Sequence, residues 1–266
     1  MSGRSLGEPI AGSGNLFAWG EHQLVKLFGD GPPEGWVERM GRVDRALHAA
    51  GLPVPAAGEV VEVDGQLGLV YERVEGGPMA DALLSTPETI ADRVVGLART
   101  FAEVHAEIHA CGAIPEVPSQ RLLPTVIRRM AALSPDLQKA TLRAFDEMPE
   151  GDRLCHGDFH PYNVLMSPRG PIVIDWNNAH IGNPLEDVAR STLMLSGVAM
   201  SEPSLRPSID RFTKVYLKRY FQLRPDDQQQ LVAWQPIVAA VRLSDNIPEL
   251  QEWLLEQIRT GLAMQD

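Results

Sequence analysis

Between His156 and Asn163 the chain carries two histidines, an aspartate and an asparagine, in the run His-Gly-Asp-Phe-His-Pro-Tyr-Asn-Val-Leu. Two kinds of chemistry suit these residue types. Alternation would place His156, Asp158 and His160 on one side of an extended segment, as a zinc or iron site of a metal-dependent hydrolase needs. That site requires a further ligand cluster, and Pro161 beside His160 favours a turn over a continuing ligand strand. The second grouping is Asp158, Asn163 and Asp175. Val164-Leu165-Met166 and Ile172-Val173-Ile174 flank Ser-Pro-Arg-Gly as a hairpin would, so Asp158 and Asn163 precede its first strand and Asp175 ends its second. Two carboxylates and an amide oxygen are hard ligands that suit Mg²⁺ better than zinc, with Asp158 free to stay off the metal as a base. Phosphoryl transfer needs this layout, because the metal bridges nucleotide phosphates and one carboxylate aligns the accepting hydroxyl. His156 and His160 are then not required as ligands. Any one Asx residue alone reads as a turn residue; three in this order read as a site.

The elements that must hold these residues are legible from periodicity. Residues 10 to 28 alternate apolar runs with Gly-containing turns and read as three short strands. Trp36, Met40, Val43, Leu47 and Ala50 recur at helical spacing up to Gly51 and Pro53. Two strand-like runs between Val60 and Val74 flank an Asp64-Gly65 turn, and Gly76-Gly77-Pro78 then breaks the pattern. Thr86 as N-cap and Pro87 at the first helical position open a helix with Ile90, Val94, Leu97, Phe101, Val104 and Ile108 on one stripe. Further helices are expected over Leu122–Leu133, after Ser134-Pro135, and from near Pro207, Pro225 and Asn246.

Composition narrows the function classes. With 266 residues, 44% of them hydrophobic, the chain can fill one large core or two modest ones. Its 35 acidic and 24 basic residues give a formal charge of -11, with no Lys/Arg-rich block, which argues against nucleic acid as a partner. The acidic balance fits a cationic small molecule in a cleft, and equally fits simple solubility. Cys111 and Cys155 have no paired spacing, so neither a disulfide framework nor a zinc knuckle is indicated. The first residues contain no apolar leader-like core, and the apolar stretches near Leu193 and Leu231 are too short and interrupted to span a bilayer. These features point to a cytoplasmic enzyme or binding protein without a membrane partner.

Two segments, LCHGDFHPYNVL at 154–165 and VIDWNNAHIGNPLEDVAR at 173–190, together resemble the aminoglycoside phosphotransferase and choline kinase-like family of small-molecule kinases. The resemblance extends to Lys26 and to the GLPVP turn at 51–55, and is weakest over the last sixty residues. It implies a two-lobed α+β fold like that of protein kinases, with a β-rich N-lobe over 1–74 and a helical C-lobe over 75–266. It implies ATP and Mg²⁺ as cofactors and the hydroxyl of a small molecule as acceptor. By the same resemblance Asp158 is the catalytic aspartate, Asn163 and Asp175 are the metal-binding residues, His156 holds the loop, and Asp187 braces it from the next helix. Tyr71-Glu72-Arg73-Val74 resembles the hinge whose backbone meets adenine, which assigns Glu72 and Val74 to the nucleotide. Members act on aminoglycosides, macrolides, choline, homoserine and other alcohols, and the resemblance does not choose among them.

Other residues carry two readings. Gly12-Ser13-Gly14 is an ordinary turn or, placed before strands ending in Val-Lys-Leu, a backbone cradle over phosphates that Lys26 reaches. Val25 and Leu27 point to the opposite sheet face from Lys26, which turns it toward the cleft. The family's lysine pairs with a glutamate on the first helix; here Met40 holds that position, leaving Asp44 or no partner rather than Glu38. A nucleotide-binding pseudokinase without turnover is therefore the alternative to an active kinase. His105 and His109, one turn apart, are a metal pair or, as the family's similar pattern implies, structural. Trp234, Asp245, Glu249 and Glu252 line an acceptor cleft or are ordinary helix residues, and the second reading is preferred.

Overall fold

The computed structural model describes residues 6–10, 14–29, 32–84, 90–119, 123–225 and 228–264. Gly12, Ser13, Thr86, Pro87 and Leu122 lie outside the described residues. In chain order the elements are β1 (Leu16–Ala18), β2 (Gln23–Phe28), α1 (Trp36–Ala49), β3 (Ala57–Val63), β4 (Gln66–Glu72), β5 (Gly77–Pro78), α2 (Met79–Leu84), α3 (Ile90–Ala110), α4 (Leu123–Arg129), α5 (Pro135–Asp146), β6 (Arg153–Cys155), β7 (Val164–Ser167), β8 (Gly170–Val173), β9 (His180–Gly182), α6 (Pro184–Ser201), α7 (Arg206–Leu223), α8 (Gln228–Arg242) and α9 (Pro248–Ala263). This is an α+β chain whose contacts divide it into two units. One holds Met1–Pro78, Ile114–Glu116 and Val164–Asn177; the other holds Met79–Ala113, Val117–Asn163 and Asn178–Asp266.

The first unit contains an antiparallel sheet of order β1-β2-β4-β3. Val25 and Leu27 are buried, while Lys26, between them on β2, falls on the other face opposite Leu69. Asp64 and Gly65 join β3 to β4 with φ of 50° and 78°, the left-handed pair that a two-residue hairpin turn demands. Helix α1 buries Val37, Met40, Val43 and Leu47, with Val37 and Met40 packed on Leu69 of β4. A second sheet of order β5-β7-β8 completes the unit. Its β5 is Gly77–Pro78, where the sequence reads as a break. Proline is tolerated at a sheet edge, and Gly76 permits the approach: at φ 128° a Cβ there would lie 2.2 Å from the Met166 carbonyl oxygen.

The second unit is mostly helical, with β6 and β9 paired antiparallel. Its core is aromatic where α3 meets α7: Phe101 stacks on Phe159 at 4.3 Å and meets Tyr216 edge-on at 4.9 Å. Helix α4 is shorter than its periodicity predicts. The Gln138 amide nitrogen donates to the carbonyls of Ile127 and Arg128, both at 3.1 Å, satisfying orphan acceptors at its end. Helix α6 starts at Asn183, whose side chain accepts from Leu185 N–H at 2.9 Å, with Pro184 in the first turn. Among the described residues no helix is long and apolar enough to cross a membrane.

Candidate active site

In the first unit, Lys26 Nζ lies 3.1 Å from Asp175 Oδ1. Asp175 follows β8 with φ 66°, a left-handed backbone that Asp tolerates better than most residues, and also accepts from the Asn177 amide. The chain joins Asn163 directly to Val164, which pairs in register with Val173, two residues before Asp175. Lys26, Asp44, Tyr71, Glu72, Val74 and Asp175 all line a cavity of about 200 Å³. The residues read as hinge and as phosphate lysine thus share one concavity. Gly14 is exposed beyond them.

The candidate partners of Lys26 fall out as follows. Its amine pairs with Asp175, while Asp44 Oδ2 accepts from the Tyr71 hydroxyl at 2.6 Å. Burial pushes Asp44 up to about 6, against the pull of the Tyr71 hydrogen bond and the Lys26 charge. Met40 is a core residue. Glu72 is engaged by Arg169 Nη2 at 2.8 Å.

In the second unit, β6 delivers the chain into His156. Gly157 turns it at φ 74°, where a Cβ would lie 2.4 Å from the Asn178 carbonyl oxygen, so only glycine fits. This turn ends the alternation that a His156–Asp158–His160 ligand strand would need. His156 Nδ1 instead accepts Asp158 N–H at 3.1 Å. Asn163 closes a 3₁₀ turn over Pro161–Asn163, its Nδ2 donating to the Asp158 carbonyl at 3.0 Å and leaving Oδ1 as the atom able to serve a cation.

Asp187, at the start of α6, fixes this loop. Its Oδ2 accepts from His156 N–H at 2.5 Å and from the Nε2 atoms of His105 and His109 at 3.2 and 3.3 Å, and its Oδ1 accepts from Gly157 N–H at 3.0 Å. The Nδ1 atoms of His105 and His109 each accept from a tyrosine hydroxyl at 2.7 Å, Tyr216 and Tyr220 respectively. Burial lowers both histidines, His109 to about 3, so both are neutral and protonated at Nε2. Burial opposes the charge of Asp187, but its donors outweigh that and hold it well below the ordinary carboxylate range. The three side chains converge closely enough for a metal, yet every ring nitrogen has a protein partner. The arrangement braces the loop. A second buried group, Cys155, His180 and Glu186, is an ion pair beside a thiol. Burial pushes the Cys155 thiol up to about 12 and opposes the charge on His180, which Glu186 nevertheless holds well above its usual value.

The Asp158 carboxylate has His160 Nε2 at 3.5 Å and Arg190 Nη2 at 3.6 Å. Burial alone would raise it, but His160 and Arg190 outweigh burial and hold it at about 2. It lines a cavity of about 560 Å³ with Arg242 and Asp245. Periodicity gave no sign of Arg190 and Arg242. The signal for Arg190 was a lone cation in the otherwise uncharged stretch Val188 to Leu195. Of the four helix residues weighed for an acceptor cleft, Asp245 lines this cavity, Trp234 is core, and Glu249 and Glu252 are exposed elsewhere.

A family model described as the phosphotransferase enzyme family matches residues 13–220. Viomycin phosphotransferase of Streptomyces vinaceus is 29% identical over 194 residues, covering 61% of this chain and 66% of that protein. The chain thus spans a little under two thirds of that relative's length. An aminoglycoside-3'-phosphotransferase of type VIII superposes with a TM-score of 0.64 at 19% identity, over 91% of this chain and 94% of the other. An aminoglycoside phosphotransferase of Streptomyces rimosus, in complex with ADP and streptomycin, superposes with a TM-score of 0.60 at 15% identity, over 88% and 91%. At such identities the structural likeness establishes the fold, the kinase-like α+β architecture expected from the sequence.

Proposed function

Because the chain belongs to the phosphotransferase enzyme family, we propose that it is an ATP-dependent small-molecule kinase in which Asp158 receives the accepting hydroxyl. The observation that carries this reading is Asp158 itself, an ionised carboxylate on the wall of a cavity of about 560 Å³. The loop that carries it is pinned through Asp187. Held at about 2, Asp158 is a weak base at neutral pH. Its part is to accept the hydroxyl's hydrogen bond and aim the oxygen, then take the proton as that oxygen bonds the γ-phosphorus of ATP and becomes acidic, while the γ-phosphorus bond to the bridging oxygen breaks and ADP leaves. His160 and Arg190 keep the carboxylate in place.

The first unit serves the nucleotide. Lys26 meets its phosphates, and the backbone at Glu72 and Val74 meets the base. Asn163 and Asp175 each offer the hard oxygen donor that Mg²⁺ prefers, with Asn163 Nδ2 already committed to a carbonyl. When bound, the metal supplies charge neutralisation for the phosphates. A second reading, nucleotide binding without turnover, is favoured by Met40 standing in the core where the family's glutamate is expected. The intact Asp158, Asn163 and Asp175 set stands against it.

Calorimetric titration of Mg·ATP into wild type and Asp175→Ala, without acceptor, tests the nucleotide half. Mg²⁺-dependent binding that weakens at least tenfold in the variant supports it. Equal binding by both proteins, or by neither, refutes it.

A further inference from the structure

We propose that the acceptor is a mainly apolar alcohol bearing a carboxylate, its hydroxyl at Asp158 and its carboxylate at Arg242. This rests on the reading of Asp158 given above. The cavity that Asp158 lines is walled by Met194, Leu195 and Val198 of α6 and by Leu205, Ile209 and Phe212 beyond it. Tyr162 and Val198, large apolar side chains left 53% and 44% exposed, both lie on this wall. Apolar surface held open to water in a concavity gains from being covered by an apolar ligand. A polyamine would gain nothing there and would lose hydration.

The polar end of the cavity points the same way. Arg242 Nη1 lies 2.9 Å from Asp245 Oδ2, and Arg190 Nη2 is shared between that oxygen at 3.4 Å and Asp158 Oδ1 at 3.6 Å. Two carboxylates face two guanidiniums, so neither awaits a ligand cation. Glu202 is the remaining carboxylate of the lining, and it is exposed. Hydrogen-bond donors, by contrast, are in excess. Each guanidinium carries five, both arginines share one Asp245 oxygen, and the Nε of each is buried without a partner. A ligand carboxylate supplies an acceptor for the terminal N–H groups of Arg242 that Asp245 does not engage, in the planar geometry a guanidinium prefers. Arg190 lies behind Asp158 and serves to position it.

The test is calorimetric titration of 3-hydroxydecanoate, its methyl ester, the amine counterpart 1-aminodecan-3-ol, and streptomycin. Each is titrated without nucleotide into wild type, Arg242→Gln and Arg242→Lys, with melting curves confirming that the variants fold. The acid should bind wild type at least tenfold more tightly than the amine counterpart. That preference should shrink about tenfold or more in Arg242→Gln and return in part in Arg242→Lys. Absence of acid binding, amine or streptomycin binding as tight as the acid's, or an acid preference that survives Arg242→Gln would each overturn the proposal. Turnover with Mg·ATP separates the two readings. Acid that binds but is never phosphorylated contradicts the kinase reading, whereas phosphorylation of streptomycin alone keeps the kinase and contradicts the acceptor.

Discussion

Asp187→Asn is the substitution whose cost follows most directly from geometry. The two loop N–H groups sit on different oxygens of the Asp187 carboxylate, His156 on Oδ2 and Gly157 on Oδ1. An amide has one acceptor oxygen and one NH₂ group. Whichever way it is turned, one of these buried N–H groups faces another N–H. Leaving that donor unsatisfied costs about 1–3 kcal/mol. The surviving bonds also lose their charged acceptor, roughly 1 kcal/mol each. Switching the tautomers of His105 and His109 can save the imidazole contacts but not the backbone donor. The total is about 3–5 kcal/mol, a large share of a typical domain's roughly 5–15 kcal/mol. Urea unfolding followed by circular dichroism should show the midpoint falling with little change in slope. A loss below about 1 kcal/mol would refute the four-donor account of this loop.

Three further outcomes follow. Lys26→Met removes a partly exposed ion pair, so stability should move by less than about 1 kcal/mol while Mg·ATP affinity drops at least tenfold in the same calorimeter; an unchanged affinity would remove Lys26 from the nucleotide site. Asp44 is raised from 3.8 to about 6, so between those values the folded state binds the proton more tightly and stability falls as pH rises, by up to ~3 kcal/mol. Asp44→Asn should therefore be more stable than wild type at pH 8, with the gain vanishing near pH 4; a gain independent of pH would contradict the burial argument. His105 and His109 carry the opposite sign: their lowered values make stability fall as pH drops below about 6.5, where the unfolded chain takes up protons that the folded state refuses. In the Asp44→Asn background, and below about pH 6 where His180 is protonated in both states and adds no slope, melting temperature should fall steadily down to pH 4.5, and a flat profile would count against neutral histidines at Asp187.

What could be read from the sequence was set by short-range geometry. Asp158, Asn163 and Asp175 flank one hairpin, the Asp64-Gly65 pair dictates the turn of another, between β3 and β4, and the stripe on α1 shows which face is buried. Lys26 was legible because alternation needs only its two neighbours. Features made by distant chain were not legible. Arg190 and Asp245 meet across 55 positions, and no local pattern announces it. Helix α6 is buried on nearly all sides, so its apolar period has no polar face to contrast with. The edge strand at Gly77–Pro78 exists because β7 is there to pair with it, and α4 stops where Gln138 reaches its carbonyls. His105 and His109 were visible as a pair one turn apart, but the oxygen they share was not.

The central claim is that Asp158 serves transfer of phosphate from ATP to a small-molecule hydroxyl. Its most direct test is mass-spectrometric detection of phosphorylated product when wild type and Asp158→Asn are each given Mg·ATP and an alcohol panel, with nucleotide affinity measured alongside. Wild type should phosphorylate at least one alcohol, and the variant should lose about 10²- to 10⁴-fold in rate while keeping its affinity for ATP. Equal product from both proteins would contradict the account.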